Sequence, residues 1–526
     1  MTGSPGAPAA ARSPLSRRTA ERLIWIGFGA GLLLLALMVG RSQVGGDQLN
    51  LLARGWLLAA RGRMVWFGNP MSTGGKAPGG VTSLLVGLPL MLWRHHRAAT
   101  AAVALCHLLA FLLLDRTLAR ILSAQERLLF VVLYWLSPWQ LYFGSFLWNP
   151  NYLFLAGAAH LVTAWRLRYG PRFSASLLHA ATVVLALQVH PSFLLLAAAS
   201  VLLWWRGWLR PHAAGLGLGA VLGALPLLPW AWEVIHHPVL LAEAHKGFLG
   251  RGLIHSLPRG ILYWLRYSSL SLAGRSGLFD FSEAFGAAAD RRLAPLFRTL
   301  TEGVGPATIV LPLLANLWLW RSWGRWRRWS RSRRSAGSPR SATGAAAEAP
   351  APAPPSLPGS AGSAGPAGRR GTLLARLARP SSLPDAAPDR AWLRGYAVLT
   401  LGAAAAVFAV SPTTLMYWQG LCLFHAAVLP LTLWAGLLLR TRHAARVLAG
   451  VAAWVALELL LALGIAFGTP DFRCRGLETV VFSLLSDSPM LHDLHIQDTC
   501  PWPTNDPHGW WPDVLPRPGA ADGEDR

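Results

Sequence analysis

Apolar runs of roughly 18 to 22 residues recur along most of this 526-residue chain. An α-helix needs about 20 such residues to cross about 30 Å of bilayer hydrocarbon. Hydrophobic residues make up 53% of the chain and charged residues only 14%, so the runs are rarely interrupted by charge. The sequence therefore predicts an all-α polytopic membrane protein.

We predict eleven membrane-spanning helices from these runs. A twelfth apolar stretch, 81–93, has about 13 residues and is too short to span comfortably, so we expect a juxtamembrane helix there. The predicted spans are 23–40, 98–114, 128–146, 150–165, 174–190, 192–205, 214–232, 303–320, 392–411, 419–439 and 447–468.

The distribution of arginine predicts the orientation. Four arginines lie within 1–22, before the first span, which places the N-terminus in the cytoplasm and makes that span a retained anchor. If 81–93 does not cross, the basic loops 115–127, 166–172 and 206–210 also fall inside. If 81–93 crosses, the loops 115–127 and 166–172 fall outside. We adopt the topology in which 81–93 does not cross the membrane. It leaves the basic segment 94–97 outside.

These choices divide the chain into five regions. A cytoplasmic N-terminus, 1–22, precedes a membrane block, 23–320, which carries a first external loop, 41–97, and a second, 233–302. A cytoplasmic linker, 321–391, begins with seven arginines interleaved with tryptophan and continues rich in Ala, Pro and Gly, a composition that cannot bury a core. A second membrane block, 392–468, leads to an external tail, 469–526.

The formal net charge of +24 indicates contact with lipid headgroups rather than nucleic acid. Arg and Trp alternate in 321–329, and each Arg near an anionic surface gains about 1 kcal/mol, so we expect this segment to lie on the membrane. The remaining arginines fall between apolar runs, as in cytoplasmic loops.

Cysteine placement agrees with this topology. Cys106 and Cys422 lie inside apolar runs and are expected to behave as inert small hydrophobic residues. Cys474 and Cys500 both lie in the predicted external tail, where a disulfide closing a loop of about 25 residues is our preferred interpretation, the alternative being two unrelated thiols. The tail segment 491–495 has histidine and aspartate but lacks a complete tetrahedral set, so no metal site is predicted.

The first loop has a recognisable order of features. Asp47 follows the first span directly and is succeeded by an amphipathic stretch, 48–61, a Gly/Pro-rich turn, 74–80, and the short apolar helix 81–93. This pattern resembles the GT-C superfamily of membrane glycosyltransferases, which includes dolichyl-phosphate-mannose protein mannosyltransferases and the bacterial aminoarabinose lipid A transferase. The resemblance runs from residue 20 to about 235.

Two further features match, and two depart. One span ends in Ser137–Tyr142 before an external turn, and three spans follow a cytoplasmic break. Many members carry a second acid after the first, whereas this chain has Gln48. The turn 145–151, which often supplies another acid, has none here.

The resemblance implies an inverting transfer of a sugar from a polyprenyl-phosphate carrier to an external lipid, glycan or protein acceptor. It implies Asp47 as the general base, no cofactor, and a place in a bacterial inner (plasma) membrane with the C-terminus periplasmic. We expect no metal, because the loop 233–302 has fewer carboxylates than a metal-dependent transferase would need. Cations are needed to face the leaving phosphate. The candidates for this role are Lys76, Arg54, Arg251 and Arg259.

Polar residues at span ends are candidate substrate-binding groups, because polar groups at membrane depth line cavities or bond between helices. These are Asn149, Asn151, His190, Glu233, His236 and Tyr417. Each choice has an alternative: Asp47 could cap the helix that follows it, Lys76 could reach the interface as a surface lysine, and Tyr417 could belong to an interfacial aromatic belt.

Two other functions remain open. A lipid-linked glycan polymerase or ligase would use a basic external loop, and 233–302 carries Lys246, Arg251, His255, Arg259 and Arg266. A transporter without chemistry is disfavoured because the sequence has no inverted repeat and no paired mid-span charges, Glu458 being the one clear acid deep in a span.

Overall fold

The computed structural model describes residues 15–42, 47–70, 76–93, 95–236, 256–271, 279–336, 386–411 and 415–468. These residues form nineteen α-helices and one two-stranded hairpin. The elements up to residue 205 are α1 (Arg17–Gly40), α2 (Asp47–Arg61), β1 (Phe67–Pro70), β2 (Lys76–Pro78), α3 (Val81–Leu92), α4 (His96–Leu118), α5 (Ala124–Phe130), α6 (Pro138–Gly144), α7 (Leu153–Arg166), α8 (Phe173–Val189) and α9 (Phe193–Trp205).

The later helices follow on either side of the linker. They are α10 (Ala213–Ala224), α11 (Leu228–His236), α12 (Leu257–Tyr267), α13 (Ser282–Phe285), α14 (Ala287–Thr299), α15 (Gly305–Ala307), α16 (Val310–Ala336), α17 (Ala386–Val410), α18 (Phe424–Leu438) and α19 (Ala444–Gly468). Single 3-10 turns at Asn149–Tyr152, Leu225–Leu227 and Leu421–Leu423 precede α7, α11 and α18.

Seven helical segments in the described residues are long and apolar enough to cross a membrane. They are Arg17–Gly40, His96–Leu118, Ala213–His236, Ala287–Trp323, Pro388–Val410, Leu421–Leu438 and Ala444–Gly468. Each overlaps one predicted span. The other four predicted spans correspond to the interrupted pair α5–α6 and to α7, α8 and α9, which have 14, 17 and 13 residues.

Helical structure extends into two regions that were predicted to be a loop and a linker. The predicted loop 233–302 contains α12, α13 and α14, and the segment Ala287–Trp323 is nearly continuous helix. The predicted linker starts at 321, yet α16 continues to Ala336. Arginine has high helix propensity, so a helix that leaves the membrane can continue through this segment. Residues 337–385 lie outside the described part of the chain.

One end of the bundle, which we call the linker end, gathers the starts of α1, α5 and α17 and the ends of α4, α7, α9 and α18. Gln125 donates a 2.8 Å bond to the Leu15 carbonyl. Arg168 pairs with Asp389 at 2.6 Å, and Trp392 donates its indole N–H to the Trp208 carbonyl at 3.1 Å. The described loops predicted to be cytoplasmic therefore meet at one end.

The other end, the first-loop end, gathers the end of α1, the start of α4 and the end of α19. The ring Nε2 of His96 lies 3.0 Å from the Ser42 carbonyl oxygen, and Arg41 donates to the Ala466 carbonyl at 2.8 Å. The segment 43–95 therefore leaves the bundle and returns to it at the same end.

The first loop contains a hairpin that the sequence reading treated as a Gly/Pro-rich turn. β1 and β2 pair antiparallel, with Phe67 opposite Pro78 and Pro70 opposite Lys76. The hairpin lies between α2 and α3, which pack closely because Gly55 has no side chain: a Cβ there would sit 2.5 Å from a Val86 methyl carbon. The first loop is thus a folded unit of two helices and a hairpin.

Candidate functional site

Several helices are shorter than the bilayer hydrocarbon is thick. At about 1.5 Å per residue, α7 and α9 are about 20 Å long and α18 about 23 Å, less than the hydrocarbon thickness of about 30 Å. Their ends opposite the linker end are formed by the turn Asn149–Tyr152, the α8–α9 connection 190–192 and the turn Leu421–Leu423. We call these three turns, which lie at the first-loop end, the floor.

Hydrogen bonds and close approach hold the three turns together. Asn149 donates its amide N–H to the Val189 carbonyl at 3.0 Å, and the Cys422 thiol donates to the Ser192 carbonyl at 3.5 Å. Gly157 lies directly against the Cys422 carbonyl, since a Cβ on it would be 2.0 Å from that oxygen. The predicted substrate residues Asn149 and His190 therefore lie on neighbouring turns of one floor.

The first loop packs over this floor. Thr82, in the first turn of α3, donates its hydroxyl to the Gln188 carbonyl at 3.4 Å. Gly79 has a φ of +86°, a left-handed conformation that favours glycine, and a Cβ there would lie 2.4 Å from Oε1 of Gln188. Gly79 thus allows the first loop to approach the end of α8.

Asp47 begins α2, the helix that opens the first loop. Its side chain lies outside the described residues, as do the side chain of Lys76 and the whole of Arg251, Cys474 and Cys500. The next residue, Gln48, is 1% exposed, and neither of its amide atoms has a hydrogen-bond partner. A polar side chain is therefore buried at the very start of α2.

Arg54 is buried inside the first loop. It is 2% exposed, and its Nη1 donates to the Phe67 carbonyl at 2.5 Å, which ties α2 to β1.

A group of aromatic rings packs together at the first-loop end. The Trp148 ring lies 5.0 Å from the Trp418 ring, and the Tyr417 ring is 6.1 Å from both Trp139 and Phe143. The Tyr267 hydroxyl donates to the Tyr417 carbonyl at 2.6 Å. The predicted residue Tyr417 is therefore one member of a packed aromatic group that reaches the end of α12.

Arg266 lies beside this aromatic group. Its carbonyl accepts the Trp139 indole N–H at 3.1 Å, and its guanidinium carbon is 5.9 Å from the Tyr263 ring centre. Its Nε is buried without a hydrogen-bond partner, and no described acid forms an ion pair with it. The sequence placed Arg266 only among the basic residues of the second external loop, because the fold that brings α12 against α6 was not visible there.

His190 and Asn151 each use one side-chain polar atom in a hydrogen bond to the backbone. The Ser192 backbone N–H donates to Nδ1 of His190 at 3.2 Å, so a neutral His190 carries its proton on Nε2. Asn151 donates its amide to the Phe146 carbonyl at 2.9 Å, and its Oδ1 is buried without a partner. Both side chains retain capacity for a further hydrogen bond.

The remaining predicted residues lie on more exposed helices. His236 is exposed at the end of α11 and bonds through Nδ1 to the Trp232 carbonyl of its own helix at 2.8 Å. Glu233 is partly exposed one turn earlier, and Arg259 is exposed in the first turn of α12. The described hydrogen bond of His236 therefore lies within α11 and does not reach the floor.

Within the described ranges, no group of three or more His, Cys, Asp or Glu side chains is arranged to hold a metal ion. Comparison with known proteins gives no match to a protein-family model, to a curated protein or to a solved structure.

Proposed function

We propose that this chain is an inverting membrane glycosyltransferase that moves a sugar from a polyprenyl-phosphate carrier to a lipid, glycan or protein acceptor. The observation that carries the proposal is the position of the first loop: a helix that starts with an acid belongs to a folded unit that packs against the end of α8, next to turns that carry polar and aromatic side chains. In the proposed enzyme, this end of the bundle receives a lipid-linked donor from the bilayer and an acceptor from outside.

The proposed topology has eleven crossings. Seven are the long apolar helices, and the other four are α5–α6, α7, α8 and α9, each of which runs between the linker end and the first-loop end. The linker end is cytoplasmic in this topology, because Arg127, Arg168, Arg390 and Arg440 lie there. The first-loop end then faces the periplasm of a bacterial inner membrane.

Asp47 is the general base of the proposed reaction. The acceptor hydroxyl oxygen forms a bond to the anomeric carbon as the bond from that carbon to the carrier phosphate breaks, with inversion. The hydroxyl proton passes to the Asp47 carboxylate, and the electron pair of the broken bond stays on the phosphate oxygen. A positioned carboxylate contributes about 10²- to 10⁴-fold to such a step.

Cations at the first-loop end stabilise the charge on the leaving phosphate. We assign Lys76, Arg54, Arg251 and Arg259 to this role and add Arg266, whose guanidinium has a buried, unbonded Nε beside the aromatic group. Charged hydrogen bonds to phosphate are about twice as strong as neutral ones. Tyr417 and its aromatic neighbours then contact the sugar or the carrier chain, while Asn149, Asn151, His190, Glu233 and His236 bind the sugar and acceptor.

The proposal is tested on purified protein with a panel of polyprenyl-phosphate sugars and candidate acceptors. We expect release of the carrier phosphate to depend on an acceptor, and a product whose anomeric configuration, read by NMR, is opposite to that of the donor. A product with retained configuration, or movement of the donor across vesicles with no bond broken, would contradict it.

A further inference from the structure

The interior of the bundle contains a continuous chain of hydrogen-bonded polar side chains. Five helices contribute to it: α7, α8 and α9 from the first membrane block, and α17 and α18 from the second. The chain runs from Thr163 to His179 (2.8 Å), His179 to Ser200 (2.9 Å), Ser200 to His160 (2.9 Å), His160 to Tyr396 (3.0 Å) and Tyr396 to His425 (3.0 Å).

The hydroxyl of Ser200 fixes the direction of the central bonds. Ser200 donates its one proton to the Leu196 carbonyl at 2.9 Å, so it must accept from both rings that reach it. Nε2 therefore carries the proton in both His160 and His179. Nδ1 of a neutral ring is then an acceptor in each case.

The outer bonds follow from this assignment. Thr163 then donates to Nδ1 of His179 in place of the Ala159 carbonyl, which also lies 2.7 Å from its hydroxyl oxygen, and Tyr396 donates to Nδ1 of His160. Because Tyr396 has only one proton, His425 must donate from Nε2 to the Tyr396 oxygen. One arrangement thus satisfies all five bonds with three neutral rings.

This arrangement is better suited to a fixed contact between helices than to proton transfer. We call the hydrogen-bonded chain from Thr163 to His425 the histidine joint. Two donors converge on Ser200, whose own proton leaves the chain to a backbone carbonyl, so a proton entering at one end has no continuous route to the other. The joint lies on the boundary between the two membrane blocks. At the same boundary Gly157 lies against Cys422, and Gly395 lies against the Trp208 ring, where a Cβ would be 1.6 Å from a ring carbon.

We propose that α7, α8 and α9 form a binding surface for the second membrane block, whose first helix begins at Ala386, and that the His160–Tyr396 bond, which joins the two blocks, sets its register. The second block then stays bound to the first without the covalent connection through 337–385. Hydrogen bonds between helices are retained in a membrane because their unpaired groups have no water to bond, and close glycine contacts add packing.

The test uses the full chain with a protease site inserted between 350 and 360 and an affinity tag at the N-terminus. The purified protein is cleaved in mild detergent and bound to resin, and release of the C-terminal fragment is measured in rising SDS. Three forms are compared: wild type, Tyr396→Phe and Tyr134→Phe. Tyr134 is the matched control, because it is fully buried, its ring lies 5.4 Å from Phe424 of α18, and its hydroxyl has no partner.

We expect the cleaved wild type and Tyr134→Phe to retain the fragment equally. Tyr396→Phe leaves two ring nitrogens unpaired and should weaken association about fivefold, so that release occurs at lower SDS. Gly157→Ala, which forces the turn at 421–423 away from α7, should do the same, whereas Gly217→Ala should not, since nothing lies within 4 Å of a Cβ there. Separation of the wild-type halves on cleavage, or equal retention by the two tyrosine variants, would overturn the proposal.

Discussion

Nε2 of His96 lies 3.0 Å from the carbonyl oxygen of Ser42, which joins the first residue of α4 to the chain just beyond α1. A carbonyl oxygen can only accept, so Nε2 carries the proton. This bond brings the two ends of the first loop together. The helix that begins with Asp47 is therefore held at the same end of the bundle as Asn149, His190 and Tyr417.

The first prediction concerns sidedness. In a variant whose four cysteines are replaced by serine, cysteine at Trp93 should react with an impermeant maleimide in intact cells, because Trp93 is exposed at the first-loop end. Cysteine at Tyr169, exposed at the linker end, should react only after permeabilisation. Reaction of position 93 solely in permeabilised cells would reverse the topology of the first loop.

The second prediction concerns Gly79. Gly79→Ala places a Cβ 2.4 Å from Gln188 at a left-handed backbone position, so we expect a loss of more than about 1 kcal/mol in stability together with reduced activity. Gly62→Ala is the control: φ is +64°, but nothing lies within 4 Å of its Cβ, so only the backbone strain remains. Thermal unfolding in detergent measures both. Equal effects at the two positions would show that the contact with α8 is unimportant.

The third prediction concerns the linker end. The Glu126 carboxylate is 4% exposed, bonds to Arg390, lies 3.4 Å from Arg440 and accepts the Ser123 backbone N–H. Glu126→Gln should lower the free energy of unfolding by about 1–3 kcal/mol, the lower part of the range applying because Arg440 is half exposed.

The matched control for that variant is Glu21→Gln, which removes an exposed pair with Arg17 on α1. We expect a change below about 0.5 kcal/mol, since exposed pairs contribute little. If the two variants unfold alike, the Glu126 cluster does not stabilise the junction between the membrane blocks.

The fourth prediction concerns Arg266. Loss of a charged hydrogen bond to phosphate should raise the KM for the lipid-linked donor about tenfold or more in Arg266→Gln, with less effect on the acceptor KM. Arg298→Gln removes an exposed arginine from α14 and should leave both constants unchanged. An unaltered donor KM in Arg266→Gln would exclude this residue from the phosphate site.

The long helices could be predicted from the sequence, whereas some helix boundaries and the contacts between helices could not. Runs such as 98–114 and 447–468 must become helices because a bilayer offers no other partner for their backbone, and the structure has α4 and α19 there. The boundaries of α16 were missed because its polar end, 321–336, has no apolar period to signal a helix.

The contacts among the three turns of the floor and the histidine joint could not be predicted for a related reason. His160, Tyr396 and His425 each stand alone within an apolar run, and only tertiary packing shows that they meet. Asn149, His190 and Tyr417 were identified because they flank breaks in apolar runs, where polar groups at membrane depth are exceptional. Arg266 was not singled out, because its neighbours Trp139 and Tyr417 are more than one hundred positions away in the chain.

Asp47 carries the central claim, and its most direct test is the rate of sugar transfer by Asp47→Asn and Asp47→Glu at matched protein levels. Glu302→Gln, which alters an exposed acid between α14 and α15, serves as the control. We expect Asp47→Asn to fall about 100-fold or more, Asp47→Glu to retain part of the activity and Glu302→Gln to match wild type. A wild-type rate in Asp47→Asn would contradict its role as the base.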